Sequence, residues 1–147
     1  MMQSQVSTTQ IVSQDNQTSP SDVQNKPTIL IVEDDQVLMR MYTQKLVSEG
    51  FKILNAVDGE EAFTVFDKEK VDLVITDIML PRVSGIEFLQ KIRTTPKGKN
   101  VPVIVWSNLM LEEEKKQALA LGANEYVVKG QLKLEDMVAL VRKYLKS

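Results

Sequence analysis

Five short runs of β-branched and apolar residues, each followed by a stretch with helical spacing, confine this chain to few architectures. The runs are Thr28-Ile29-Leu30-Ile31-Val32, Phe51 to Val57, Val71 to Thr76, Val101 to Trp106, and Glu125 to Val128. Strands joined by helices run parallel, because each crossover returns the chain to the same end of the sheet. The inner runs are apolar on both alternations, as strands buried on both faces are. The expected fold is therefore α/β, a doubly wound five-stranded parallel sheet with five helices.

The helical stretches carry start and stop signals. Leu38, Met41, Tyr42 and Leu46 mark the first helix, which Gly50 stops. Asp58 precedes Gly59-Glu60-Glu61 as an N-cap with acidic residues in the first turn, and Ala62, Phe63 and Phe66 follow as a core stripe. Ile86, Leu89 and Ile92 mark a third helix, Leu111 to Leu121 a weaker fourth closed by Gly122, and Leu134, Met137, Val138, Val141 and Leu145 a last one. Residues 1–26 are dominated by Gln, Ser, Thr, Asn and Asp and are expected to form a disordered polar tail, with the folded domain spanning 27–147.

Composition removes whole classes of chemistry. The chain has neither cysteine nor histidine, which excludes disulfides, thiolate metal sites, cysteine nucleophiles and histidine-dependent hydrolases. A net charge of -2 provides no basic field for nucleic acid or anionic lipid. The Lys97-Gly98-Lys99 and Lys115-Lys116 pairs read as solvated surface. No apolar run is long enough to span a membrane, and a cytoplasmic location is expected.

What remains is carried by the strand ends. Glu33 and Asp34 follow the first strand, Asp77 the third, Ser107 ends the fourth and Lys129 the fifth. In an open parallel sheet these positions share the edge where ligands bind. Clustered carboxylates repel, so the group needs a raised pKa or a divalent cation, and oxygen ligands favour magnesium, Mg2+. With Lys129 as point charge and Ser107 as hydroxyl donor, the Asp77 carboxylate is arranged to attack a phosphoryl group.

The motifs Ile31-Val32-Glu33-Asp34-Asp35, Thr76-Asp77-Ile78-Met79-Leu80-Pro81 with Gly85, Val105-Trp106-Ser107 and Gly122 to Lys129 resemble those of receiver domains of two-component response regulators. The resemblance implies the flavodoxin-like strand order 2-1-3-4-5 and Asp77 as phosphoacceptor. It implies Glu33 and Asp34 as the acidic pair, and Mg2+ held by Asp34, Asp77 and the Met79 main-chain carbonyl. Ser107 would be the switch hydroxyl, Lys129 the phosphate-binding lysine and Tyr126 the aromatic switch that moves inward on phosphorylation. Two residues depart from the family pattern: Gly130 stands where proline is usual, so the Lys129-Gly130 bond is expected trans or the loop flexible, and Asn108 stands where a small residue is usual.

The same resemblance implies a phosphoryl donor, a sensor histidine kinase or histidine phosphotransfer protein, and a readout surface on the fourth helix, fifth strand and fifth helix. A protein partner or a second copy would dock there, with Leu109, Met110 and Leu111 as candidate contacts. By the resemblance Met79 and Leu109 would flank the path of hydrolytic water, and both are apolar, which implies slow loss of phosphate. The chain reads as a stand-alone receiver that signals through protein contacts, not as an enzyme. The rival readings are a degenerate receiver that binds partners without phosphorylation, and an aspartyl-phosphate phosphatase. The intact set of five residues argues against the first, and Met79 in place of an acid/base aspartate against the second.

Overall fold

A computed structural model describes residues 26–146; the expected tail lies outside the described residues except for Lys26. The chain alternates β1 (Thr28–Val32), α1 (Gln36–Ser48), β2 (Lys52–Ala56), α2 (Gly59–Lys68), β3 (Leu73–Thr76), α3 (Gly85–Arg93), β4 (Val103–Ser107), α4 (Glu112–Ala120), β5 (Glu125–Val128) and α5 (Leu134–Leu145). All strand pairs are parallel and the order is β2-β1-β3-β4-β5, as expected. The chain moves outward from β1 to β2 and then crosses back to β3, so a crevice opens at the carboxyl ends of β1 and β3.

Strand alternation sorts the core into two layers. Ile29, Ile31, Leu73, Ile75, Ile104 and Trp106 pack with Met39, Tyr42 and Leu46 of α1 and Met137, Val138 and Val141 of α5. Leu30, Val32, Val74, Val103 and Val105 pack with Ala62 and Phe66 of α2 and Phe88, Leu89 and Ile92 of α3. The Phe66 and Phe88 rings meet edge to face at 6.4 Å, and burying each side chain stabilises the fold by about 3 kcal/mol.

The expected α1 stripe is corrected in one place: Met39, not Met41, faces the core, and Met41 is 40% exposed. Positions 39, 42 and 46 recur at i, i+3 and i+7 on the face that packs against the sheet and α5, and Asp35 Oδ1 caps the helix by accepting the N–H groups of Val37 and Leu38. Gly50 ends α1 with φ +99°, the left-handed turn that glycine enters without strain. In α3, Phe88 joins Leu89 and Ile92 in the core, whereas Ile86 is half-buried. Pro102 precedes β4; its carbonyl still accepts the Val74 N–H at 2.9 Å, so the missing donor costs the ladder nothing.

Candidate functional site

Glu33, Asp77 and Lys129 each leave the sheet one residue beyond a strand end, where the ladder still holds the backbone. The Glu33 N–H donates to Ala56 O at 3.0 Å, the Asp77 N–H to Val32 O at 3.0 Å, and the Lys129 N–H to Ser107 O at 2.7 Å. These bonds continue the β1–β2, β3–β1 and β5–β4 pairings, so the three residues rise from the same edge.

Their side chains meet. Lys129 Nζ lies 2.6 Å from Asp77 Oδ2 and 2.7 Å from Glu33 Oε1. Asp77 Oδ1 accepts the N–H groups of Ile78 at 2.7 Å and Met79 at 3.2 Å, and Glu33 Oε2 accepts that of Asp35 at 3.1 Å. Glu33 and Asp77 are buried, whereas Asp34 is exposed at the rim. Burial pushes the Glu33 carboxyl above its ordinary pKa, outweighing the hydrogen bond from Lys129. Burial also works against the Lys129 charge, but its hydrogen bonds to Asp77 and Glu33 prevail and hold its pKa above the ordinary lysine value.

One carboxylate oxygen from each of Glu33, Asp34 and Asp77 lies within 4.8 Å of the others. Three carboxylates facing one ammonium leave two negative charges unbalanced, and every donor is oxygen. The set therefore fits a hard divalent cation.

The loop from Ile78 to Ser84 is held tightly under this cluster. The Gly85 N–H donates to Ile78 O at 2.9 Å, and a Cβ at Gly85 would overlap the Asp77 carbonyl oxygen, so only glycine fits there. Ser84 and Glu87 cap α3 reciprocally. Arg82 takes the left-handed conformation at φ 65° and reaches Asp58 Oδ2 at 3.6 Å, while the Gly59 N–H donates to Val83 O at 2.9 Å. These contacts tie the loop after Asp77 to the start of α2. Met79 stands on the rim, 61% exposed, in a groove shared with Asp34, Ile78 and Pro81.

Ser107 and Tyr126 are joined to each other rather than to the carboxylates. Ser107 is fully buried and its Oγ accepts the Leu109 N–H at 3.3 Å. The Tyr126 hydroxyl donates to the Leu109 carbonyl at 2.9 Å, and burial pushes its pKa up. Leu109 thus links the two expected switch residues through its own backbone, a role its sequence position did not reveal. Of the three apolar residues after β4, Leu109 packs on the core, and Met110 and Leu111 are exposed.

No peptide bond among the described residues is cis, so the Lys129–Gly130 bond is trans; Gly130 turns with φ +88° and Lys129 still reaches the acids. Asn108 is exposed and borders a cavity with Lys129, Gly130 and Trp106. Gly85 entered the sequence motif without a stated role, and nothing along the chain singled out Arg82. No described helix is long and apolar enough to cross a membrane.

Comparison with known proteins agrees with this geometry. The sequence profile of the response regulator receiver domain matches residues 29–142. An uncharacterized transcriptional regulatory protein of Bacillus subtilis is 39% identical over 100 residues, covering 68% of this chain and 43% of the relative. The phosphate regulon transcriptional regulatory protein of Rhizobium meliloti is 38% identical over 103 residues, covering 70% of this chain and 45% of the relative. The chain thus spans less than half the length of these two regulators.

A putative response regulator from Chloroflexus aurantiacus superposes with a TM-score of 0.78 at 28% identity, covering 84% of this chain and all of that one (100%). The receiver domain of a Pseudomonas aeruginosa sensor histidine kinase, solved with magnesium in its active site cleft, superposes with a TM-score of 0.76 at 25% identity, covering 83% and 99%. With the profile spanning most of the chain and the same fold recurring in solved receivers, the chain belongs to the response regulator receiver domain family.

Proposed function

We propose that Asp77 accepts a phosphoryl group from a sensor histidine kinase or a histidine phosphotransfer protein, and that the modification changes a protein-binding surface. The observation that carries this reading is the placement of Lys129 Nζ against both Asp77 and Glu33, with Asp34 completing an oxygen cluster. An Asp77 carboxylate oxygen forms the bond to phosphorus as the phosphorus–nitrogen bond of the donor imidazole breaks, and the imidazole departs. Lys129 offsets the charge on the transferred group. Asp34, Asp77 and the Met79 carbonyl would hold Mg2+, with Glu33 beside them; the ion when bound supplies neutralising charge.

On phosphorylation about two negative charges arrive at Asp77, with oxygens that attract Ser107 and Lys129. The Ser107 hydroxyl now holds the Leu109 N–H, and Leu109 holds Tyr126, so a shift of Ser107 is passed to Tyr126. The surface that responds is made by α4, β5 and α5, where Met110, Leu111 and Leu132 are exposed. The partner is a protein or a second copy of the chain rather than nucleic acid. In support, the Lys97 ammonium is engaged with the Asp67 and Glu69 carbonyls. The action is cytoplasmic and stoichiometric, not enzymatic turnover.

The test is incubation with Mg2+ and a small phosphodonor such as acetyl phosphate, with intact mass and Trp106 fluorescence as readouts. The wild-type chain gains one phosphoryl group and Asp77→Asn gains none. Equal labelling of the two would overturn the assignment.

A further inference from the structure

The backbone of Lys129 is held from both sides. Its own N–H donates to Ser107 O at 2.7 Å, and just beyond it the Gln131 N–H donates back to Val128 O at 3.1 Å, closing a turn over Lys129 and Gly130. An isolated bridge then joins Lys129 to Leu132. Gly130 has φ +88°, Lys129 is not left-handed and the bond between them is trans, the combination of a type II turn. That turn requires a positive φ at its third position, which glycine adopts without strain and asparagine tolerates. Proline, whose ring holds φ at about −65°, cannot make it. A Cβ built at Gly130 meets nothing within 4 Å, so a side chain there is resisted by the backbone and not by crowding.

We propose that Gly130 is a positioning residue for Lys129, its left-handed turn letting a single ammonium lie against both Glu33 and Asp77. With Lys129 fixed to Ser107 and bridged to Leu132, only Gly130 and Gln131 remain to reverse the chain. The ammonium sits 2.6 Å from Asp77 Oδ2 and 2.7 Å from Glu33 Oε1, and such bonds fade once the atoms separate beyond about 3.2 Å. A small displacement of the Lys129 backbone therefore takes the ammonium out of reach of one acid or both. Losing the positive φ at Gly130 forces such a displacement, because the reversal must then follow another path. The inference deepens the proposed phosphoryl chemistry and rests on that reading only in the role given to Lys129.

The test is trace labelling of the full, unphosphorylated chain with acetic anhydride, the acetylation rate of each lysine being read by peptide mass spectrometry. In the wild-type chain Lys129, with 9% of its side chain accessible and two carboxylates on its ammonium, labels far more slowly than Lys70, which is 86% accessible. Gly130→Val raises the Lys129 rate by about tenfold, the factor that corresponds to holding an L residue left-handed, and leaves Lys70 unchanged. Gly130→Asn, which tolerates the left-handed backbone, restores most of the protection. Gly130→Ala takes the place of Gly130→Val if that variant does not fold. Wild-type protection of Lys129 in the valine or alanine variant, with or without a lower thermal midpoint, would overturn the proposal and leave Gly130 a loop residue only. Protection lost equally in the asparagine and valine variants would overturn it too. Because labelling is read before any phosphorylation, an Asp77 that took no phosphate would leave this result unchanged.

Discussion

Lys129 Nζ bonds Asp77 Oδ2 at 2.6 Å, joining residues 52 positions apart through side chains that are both nearly inaccessible to solvent. The same ammonium bonds Glu33, 96 positions away. One cation therefore holds two buried carboxylates together, and its removal leaves them facing each other without compensation.

Replacing Lys129 by methionine, which keeps the aliphatic volume, should destabilise the metal-free fold by about 3 kcal/mol, the usual cost of breaking a buried ion pair. Added Mg2+ should recover part of that loss, because the cation replaces the missing positive charge. Urea unfolding with and without Mg2+ measures both effects, and an unchanged midpoint would contradict the role given to Lys129.

Gly85 and Gly50 should respond differently to alanine. At Gly85 the new methyl meets the backbone of Asp77, so the loop under Asp77 must move and the loss should be about 3 kcal/mol, the upper end for overpacking. At Gly50 nothing lies within 4 Å, and only the left-handed backbone is penalised, by about 1 kcal/mol. Phosphoryl acceptance should fall with Gly85→Ala and persist with Gly50→Ala, as intact mass after acetyl phosphate treatment would show.

Arg82 is left-handed, and although it approaches the buried Asp58 carboxylate at 3.6 Å its own guanidinium is 68% exposed and screened by solvent, so its backbone matters more than its charge. Arg82→Gly relieves the strain but frees the unfolded chain, and the two effects should nearly cancel, within about 0.5 kcal/mol. Arg82→Val keeps the strain and worsens it with a branched side chain, at a cost of about 2 kcal/mol. Thermal unfolding of the two variants should separate them by several degrees.

Met79, two residues after Asp77, is exposed and Leu109, two residues after Ser107, is half-buried; both are apolar, and neither side chain can orient a hydrolytic water. Introducing a polar group with Met79→Asn or Leu109→Glu should shorten the lifetime of the phosphorylated chain by about tenfold, within the range for a positioned proton acceptor. The rate of phosphoryl loss after donor removal checks this. Rates equal to wild type in both variants would show that these positions do not limit hydrolysis.

Much of this cluster could be read along the chain because each of its polar residues lies at or just beyond the end of a β-branched run, and run ends are local features. Glu33, Asp34, Asp77, Ser107 and Lys129 were visible for that reason, and the parallel alternation placed them on one edge. Helix phase was less legible: Met41 and Met39 are both apolar, and only packing of α1 against the sheet and α5 decides which one turns inward. The acidic run Glu112-Glu113-Glu114 likewise offers no sign that its third member buries an oxygen, since that depends on where α4 lies against its neighbours.

Periodicity and strand-end chemistry, properties of neighbouring residues, determined the fold class, the element order and which polar side chains stand at the strand ends. Only the tertiary structure decided that Lys129 rather than Ser107 bonds Asp77, that Leu109 carries the link from Ser107 to Tyr126, and that Gly85 must stay small under Asp77. Those contacts depend on strand register and loop path, which are set by packing across the whole sheet.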